Sequence, residues 1–258
     1  MEGLLIELKQ LPKLRGTLLW EGPSLLNGEP IVAIATLKTS NRKTGDMIQT
    51  WILPQNMRPT DAVDSGDDKS ICGDCPHRKV DGKRTCYVNV GQAPLQVWKS
   101  YRAGKYPRLP ELSAITEGRR IRFGAYGDPA AVPSHVWLYL KRHASGWTGY
   151  THQWRTCDHN LMDLCMASVD TQEEAEQAQA MGWRTFRCRS ADEPLMHQEI
   201  MCPASDEGGK RTTCDNCLLC AGRFANKKRK IPSVSIVVHG RGAVHFGNIA
   251  ANNLRQGD

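Results

Sequence analysis

Seven of the ten cysteines lie in two short groups, and a thiolate is the side chain that binds soft metal ions most readily. The first group is Cys72, Cys75 and Cys86, and the second is Cys202, Cys214, Cys217 and Cys220. Ten cysteines in 258 residues are too few for a small scaffold built on disulfides, and the other three are scattered. We therefore expect two metal sites in a protein of a reducing compartment, the cytoplasm.

The second group contains a C-x2-C-x2-C run, Cys214 to Cys220, with Cys202-Pro203 upstream as a fourth ligand. This set resembles the ligation of a [4Fe-4S] cluster in bacterial ferredoxins, except that the remote Cys-Pro precedes the run here. Zinc is the alternative, although tetrahedral zinc more often takes two separated C-x2-C pairs. Four protein ligands leave no open position, so this site alone predicts a structural or electron-carrying role.

The first group offers three thiolates and, two residues after Cys75, the imidazole of His77. With His77 as fourth ligand, the site would be a closed Cys3His zinc knot. Without it, three thiolates leave one corner open for water, substrate or cosubstrate, as in a second iron–sulfur cluster. A cluster shared with other cysteines is a third alternative. A separate alternative for His77 is a plain surface histidine beside Arg78 and Lys79.

The sequence around these ligands predicts strands that alternate with helices, and this alternation indicates an α/β fold. We expect a partial (β/α) barrel or an open parallel sheet, with cysteine-rich metal-binding insertions. An N-terminal β-hairpin region, residues 1–70, would pack on a body of residues 71–258 in one compact domain, with residues 54–70 as a loop. The predicted strands are 31–37, 47–53, 120–125, 147–151, 164–169, 184–188 and 233–239. The predicted helices are 94–102, 129–143 and 171–182.

Polar residues follow several of these strands, and the carboxyl ends of parallel strands are where ligands bind in α/β proteins. The candidates for proton transfer are Asp128, His152, Arg155 and Asp170. The candidates for holding a cosubstrate are Gly127, Tyr150, Trp154 and Arg189, with the aromatic rings available for stacking. The structural alternatives are helix capping by the two aspartates, a packed histidine and a solvated arginine.

Positive charge is concentrated near the second cysteine group, in a chain whose net charge is +7. The basic residues that could contact a phosphate backbone are Lys210, Arg211, Lys227, Lys228, Arg229 and Lys230. Nucleic acid is therefore a candidate partner, and a solvated loop is the alternative. No helix-turn-helix, P-loop or Ser-His-Asp pattern is present in the sequence. No apolar run approaches the length of a membrane span, and the N-terminus lacks the features of a signal peptide.

Three segments, residues 70–78, 124–133 and 147–154, resemble an uncharacterised family of bacteriophage and prophage proteins. The resemblance spans most of the chain and implies a phage-encoded protein in the host cytoplasm, with no known activity. More distantly, the three cysteines ending in Cys86-Tyr87, the βα units and the four-cysteine group resemble radical-SAM enzymes with an auxiliary cluster. Residues 122–129 are similar to the glycine/acid motif that such enzymes place near the methionyl amine. The usual C-x3-C-x2-C spacing is absent.

These features predict an iron–sulfur protein of phage type, with a radical or SAM-like activity on nucleic acid or a nucleotide. S-adenosylmethionine would be the cosubstrate. One alternative is a non-enzymatic zinc protein that binds nucleic acid. Another is a phage inhibitor that binds a host protein and whose metals are structural.

Overall fold

A computed structural model describes residues 14–223, 231–240 and 242–247. Ten strands form two five-stranded sheets, and the helices are short. The strands are β1 (Gly16–Pro23), β2 (Pro30–Thr36), β3 (Ile48–Pro54), β4 (Arg120–Tyr126), β5 (Gly146–Thr148), β6 (Tyr150–Thr151), β7 (Met166–Val169), β8 (Thr185–Arg189), β9 (Glu199–Met201) and β10 (Ser233–Val237).

The first sheet has the order β1-β2-β3-β4-β5. The pairs β1/β2 and β2/β3 are antiparallel, and the pairs β3/β4 and β4/β5 are parallel. β3 is buried along its whole length and β2 along all but its first residue, as expected of apolar strands in the middle of a sheet. The predicted N-terminal hairpin thus forms part of the same sheet as β4 and β5.

The second sheet is entirely parallel and has the order β6-β7-β8-β10-β9. A single residue, Gly149, separates β5 from β6, so the chain passes directly from one sheet to the other. A Cβ atom at Gly149 would lie 2.8 Å from the Cys165 sulfur and 3.1 Å from Cβ of Phe123. Glycine is therefore required for this close passage between the sheets.

Short helices lie against both sheets. They are α1 (Pro59–Ser65), α2 (Lys69–Cys72), α3 (Ala93–Arg102), α4 (Ser113–Thr116), α5 (Ser134–Lys141), α6 (Gln172–Ala180) and α7 (Cys214–Cys217). Thr171 caps α6 by accepting the Glu174 backbone N–H, as its sequence predicts. The Glu174 side chain accepts the backbone N–H of Asp170 rather than that of Thr171, so the capping box is shifted by one residue.

The predicted α/β class and open, mostly parallel sheets are confirmed, and the described residues form no closed barrel. Two local predictions are wrong. Residues 54–70 are not a loop, because Pro59 begins α1 at a position where its missing N–H costs nothing. The helix predicted over 129–143 is divided at Pro133 into the 3-10 helix Pro129–Ala131 and α5. In the described ranges, no helix has the length and hydrophobicity needed to cross a bilayer.

Candidate functional site

One cavity of about 230 Å³ lies against both sheets and is lined by alternate residues of neighbouring parallel strands. Side chains alternate across a strand, so these residues share one face of a continuous wall. The wall consists of Arg122 and Gly124 from β4, Thr148 and Tyr150 from β5 and β6, Ser168 from β7, Phe186 and Cys188 from β8, and Val234 and Ile236 from β10.

All seven grouped cysteines line this same cavity. Their sequence positions span residues 72 to 220, so the fold brings together two groups that are far apart in the chain. The sequence predicts two separate metal sites, and the structure places the residues of both around one space.

Hydrogen bonds from the side chain of Arg78, which is partly buried, hold the first cysteine group in place. Cys72 ends α2, and its carbonyl accepts a hydrogen bond from the Gln153 side chain at 3.2 Å. Arg78 donates to the buried carboxylate of Asp68 at 2.8 Å and to the carbonyls of Gly66 and Gly73. These charge-assisted bonds tie the two ends of the segment together and fix the backbone that carries the cysteines.

The second cysteine group is fastened at two places to the first sheet. The Cys214 N–H donates to the carbonyl of Lys43, at 2.8 Å, in the loop between β2 and β3. At the other end of the run, the Cys220 carbonyl accepts the Gly149 N–H at 3.0 Å. The group therefore spans from the hairpin loop to the junction of the sheets.

The thiols within each cysteine group influence one another's ionisation. Burial raises the pKa of the Cys72 and Cys75 thiols, and the neighbouring thiolates raise it further. In the second group, burial raises the pKa of Cys220 to about 12, although its hydrogen bond with Tyr150 opposes the rise. Deprotonation of such thiols needs a compensating cation, which a metal would supply.

The spacing of the sulfurs bears on which metal fits. A single tetrahedral zinc ion, with Zn–S bonds of about 2.3 Å, holds its thiolates about 3.8 Å apart. In the described part of the chain, only His77, Asp170 and Cys188 form a trio of possible ligand atoms that all lie within 4.8 Å of one another. No three of the seven grouped sulfurs are that close. The described side chains therefore present no single-ion site of three closely spaced thiols within either cysteine group.

Arg122 brings an uncompensated positive charge to the cavity. Its guanidinium donates to the Tyr87 hydroxyl at 2.7 Å, its Nε has no hydrogen-bond partner, and no described carboxylate forms an ion pair with it. Burial opposes its charge, but the negative charges available on Tyr87, Tyr150 and Cys214 outweigh burial and raise its pKa. This cation can offset thiolate charge or bind an anionic group.

His77 does not face the three cysteines of the first group as a free ligand, because both its ring nitrogens are engaged elsewhere. Nδ1 lies 2.7 Å from the Thr85 hydroxyl, and Nε2 lies 2.9 Å from Asp170 Oδ1. Burial lowers the pKa of His77, but the charge and hydrogen bond of Asp170 outweigh burial and hold it well above its ordinary value. Asp170 itself is 1% exposed.

The other two predicted proton-transfer residues at strand ends differ in environment. Burial lowers the pKa of His152 to about 4, and its Nε2 has no partner among the described residues. Burial raises the pKa of Asp128 to about 6 even though its two oxygens accept the N–H groups of Ala130 and His152. Asp128 thus acts as the cap of a 3-10 helix while also lining the cavity.

Gly127 and Tyr150 line the cavity, whereas Asp170, Arg155, Trp154 and Arg189 do not. Arg155 is at the surface, 3.9 Å over the ring of Trp154, and pairs with Glu174 at 3.3 Å. Trp154 itself is buried in the main core. Arg189 is buried and donates to the carbonyls of Ser190 and Glu193, because its side chain lies on the face of β8 opposite Cys188.

Two of the predicted basic residues have partners within the protein. Lys210 pairs with Asp206 at 2.6 Å on the surface, and the Arg211 side chain donates to the Gly208 carbonyl at 2.9 Å. Lys227, Lys228, Arg229 and Lys230 lie outside the described residues.

Sequence reasoning did not select Cys188, Arg122 or Tyr87 as site residues, although all three line the cavity. Side chains alternate between the two faces of a strand, so Cys188 lies on the same face as Phe186 and Arg122 on the same face as Gly124. This alternation could have identified Cys188 and Arg122 as cavity residues. Searches of protein-family models, curated proteins and solved structures gave no significant match to this chain.

Proposed function

We propose that this chain is an iron–sulfur protein in which both cysteine groups hold clusters at the edge of one substrate cavity. The observation that carries the proposal is the convergence of all seven cysteines on that cavity. The second group, with four thiolates, would hold a closed [4Fe-4S] cluster, and the first, with three, a cluster with one open corner. Such clusters supply electron transfer and, at the open corner, a binding point for a cosubstrate.

The residues present fit this assignment better than they fit two zinc knots. His77, the fourth ligand of the predicted Cys3His knot, contacts Thr85 and Asp170 instead. The cationic Arg122 lies close enough to Cys214 to favour its thiolate form, which suits a site that gathers negative charge.

The cavity also suits S-adenosylmethionine and a nucleotide-like substrate. The end of β4, with Gly124, Tyr126 and Gly127, lines the cavity beside the first cysteine group, where the glycine/acid motif of radical-SAM enzymes would be expected. We interpret the two sheets, joined through Gly149, as a partial barrel. Its aromatic residues Tyr150 and Phe186, with ring centroids 4.4 Å apart, offer a surface on which a base could stack.

Anaerobic purification tests the cluster assignment directly. We expect brown protein that contains iron and acid-labile sulfide. Cys217→Ser should lose the iron and sulfide of one cluster, and Cys157→Ser, whose cysteine is outside the cavity, should keep both. A colourless wild-type protein that carries only zinc would overturn the proposal in favour of the zinc-protein alternative.

Electron paramagnetic resonance tests the open corner. S-adenosylmethionine added to the reduced protein should change the cluster spectrum, because the cosubstrate would bind at a cluster position without a protein ligand. The change should disappear in Cys86→Ser and persist in Cys217→Ser. A wild-type spectrum that does not respond would contradict the SAM-like activity while leaving the cluster assignment intact.

A further inference from the structure

A second kind of ligand set, apart from the two cysteine groups, adjoins the cavity: His77 and Cys188 line it, and Asp170 lies behind them. His77, Asp170 and Cys188 present a nitrogen, an oxygen and a sulfur within 4.8 Å of one another. His77 and Asp170 are buried, and Cys188 is partly buried. Asp170 follows β7 and Cys188 lies near the end of β8, two neighbouring strands, so the fold itself holds them together.

The polar atoms around this trio are not satisfied by the described residues. Oδ2 of Asp170 is buried and has no hydrogen-bond partner, although a buried carboxylate is costly to leave half-paired. Nε2 of His152 is likewise without a partner, and the His152 ring lies 5.3 Å from the His77 ring. Two orphaned atoms beside three converging ligands point to a bound cation.

The surroundings of His77 are those of a metal-binding histidine. Its Nδ1 contacts the Thr85 hydroxyl at 2.7 Å, which orients the ring and leaves Nε2 directed at Asp170. Phe246 stacks on the same ring, with centroids 5.9 Å apart and planes inclined by 10°. The aromatic cover restricts access of water to the trio from that side.

We propose that His77, Asp170 and Cys188 bind one divalent transition-metal ion, with zinc as the representative ion, at the wall of the cavity. A mixed set of imidazole, carboxylate and thiolate suits a borderline-soft ion such as Zn²⁺, and close ligand spacing suits a single ion rather than a cluster. Three protein ligands leave one position directed to the cavity, for water, substrate or His152. Its ligands are distinct from the seven grouped cysteines, although the stoichiometry expected below rests on the proposed function.

Metal analysis of the cluster-loaded protein tests this site. The protein is incubated anaerobically with Zn²⁺, freed of excess metal and analysed for zinc, iron and sulfide. We expect one zinc per chain in the wild type and at least a tenfold loss of retained zinc in Cys188→Ser and in Asp170→Asn, with iron and sulfide unchanged. Cys157→Ser is the matched control and should retain zinc.

Cobalt provides a second measurement that does not depend on Asp170→Asn folding well. Co²⁺ in place of zinc should give a thiolate-to-cobalt absorption band that is present in wild type and absent in Cys188→Ser. Zinc retained at wild-type levels in both variants would overturn the site. So would a wild type that binds no zinc, which would leave His77 and Asp170 as an ion pair, or a Cys188→Ser protein that loses iron, which would assign Cys188 to a cluster.

Discussion

At the scale of single residues, Asp128 shows how burial competes with hydrogen bonding. The carboxyl accepts two backbone N–H groups, which favour its charged form, yet burial dominates and raises its pKa to about 6. The pKa of this group in the folded state therefore exceeds its ordinary value of 3.8. The protonated form is the one that the fold prefers.

This preference predicts a pH dependence of stability. A raised folded-state pKa contributes stability that is fully present below about pH 4 and is lost as the pH rises through 6, by roughly 3 kcal/mol for this difference in pKa. In Asp128→Asn, the free energy of unfolding should vary less between pH 4 and 7 than in wild type. Anaerobic urea denaturation at several pH values measures it. Asp192→Asn, on an exposed loop, is the control, and an unchanged slope in Asp128→Asn would contradict the assignment.

Some site residues could be predicted from the sequence and others could not. The spacing of the cysteines identified both groups, because cysteines separated by only two residues in the sequence stay close together in any fold. The order of strands in the sheet brings His77, Asp170 and Cys188 together. That order cannot be deduced from the spacing of residues within a short segment of sequence. The strand-end argument reached Asp170, but it selected Arg189 rather than Cys188, and in a strand one position reverses the face.

At the scale of elements, a buried ion pair fixes β9 in the second sheet. Arg187 on β8 and Glu199 on β9 are separated by β10, and their side chains meet at 2.9 and 3.0 Å. Both side chains are almost fully buried. Since β9 has only three residues, the pair adds to an attachment otherwise made by its pairing with β10 and the packing of Ile200.

Removing one partner of this pair should be costly. Glu199→Gln leaves the buried Arg187 charge without its main partner, and we expect the free energy of unfolding to fall by about 3–5 kcal/mol. Glu193→Gln is the control, because Glu193 is a more exposed and more distant partner at 3.7 Å and should cost less than about 1 kcal/mol. Equal losses in the two variants, measured by chemical denaturation, would refute the central role of Glu199.

Glycine in the β2–β3 loop controls docking of the second cysteine group. Gly45 has φ of +66°, and a Cβ atom there would overlap the Asp215 carboxylate, which accepts the Asp46 N–H. Gly28 has φ of +81° but has open space around it. Both glycines have a left-handed backbone that would strain alanine, but only Gly45 contacts the segment that carries the second cysteine group.

Replacing each glycine by alanine should therefore separate the cost of backbone strain from the loss of contact between the loop and the second cysteine group. Gly28→Ala should cost about 1–2 kcal/mol through left-handed backbone alone and leave iron content unchanged. Gly45→Ala should cost a further 1–3 kcal/mol, roughly the penalty of overpacking, and should lower the iron and sulfide retained. Denaturation and metal analysis of the purified variants measure both effects. If both variants retain iron equally, the loop does not position the second group.

The strands and helices differ in how far the sequence predicted them. The long apolar strands β2, β3 and β10 were predicted nearly to the residue, because they are buried on both faces. β1 was missed because its apolar residues do not alternate regularly with polar ones. β9 was missed because three residues are too short for a pattern, and its place in the sheet depends on Arg187.

At the scale of the whole molecule, the net charge of +7 bears on the nucleic-acid part of the proposed function. If the basic run Lys227–Lys230 contacts phosphates, affinity for single-stranded DNA should fall steeply as salt rises, since counterions are released on binding. Replacing the four residues by alanine should reduce the slope of log affinity against log salt by about 3, at about 0.7 per contact. Filter binding at several salt concentrations measures it, and Lys210→Ala, whose lysine already pairs with Asp206, should change the slope little. Affinity independent of salt would remove nucleic acid as partner.

The attachment of the second cysteine group to the β2–β3 loop also determines the order in which the two sites can be built. Asp46 and Asp215, which join these segments, are 169 residues apart. A ribosome releases the loop and the first group early, but the run ending at Cys220 emerges only after most of both sheets has been made. The β2–β3 loop therefore lacks its contacts with the second cysteine group during most of synthesis. If both groups bind metal as proposed, the first group is available for loading before the second, whose last cysteine is made 134 residues after Cys86.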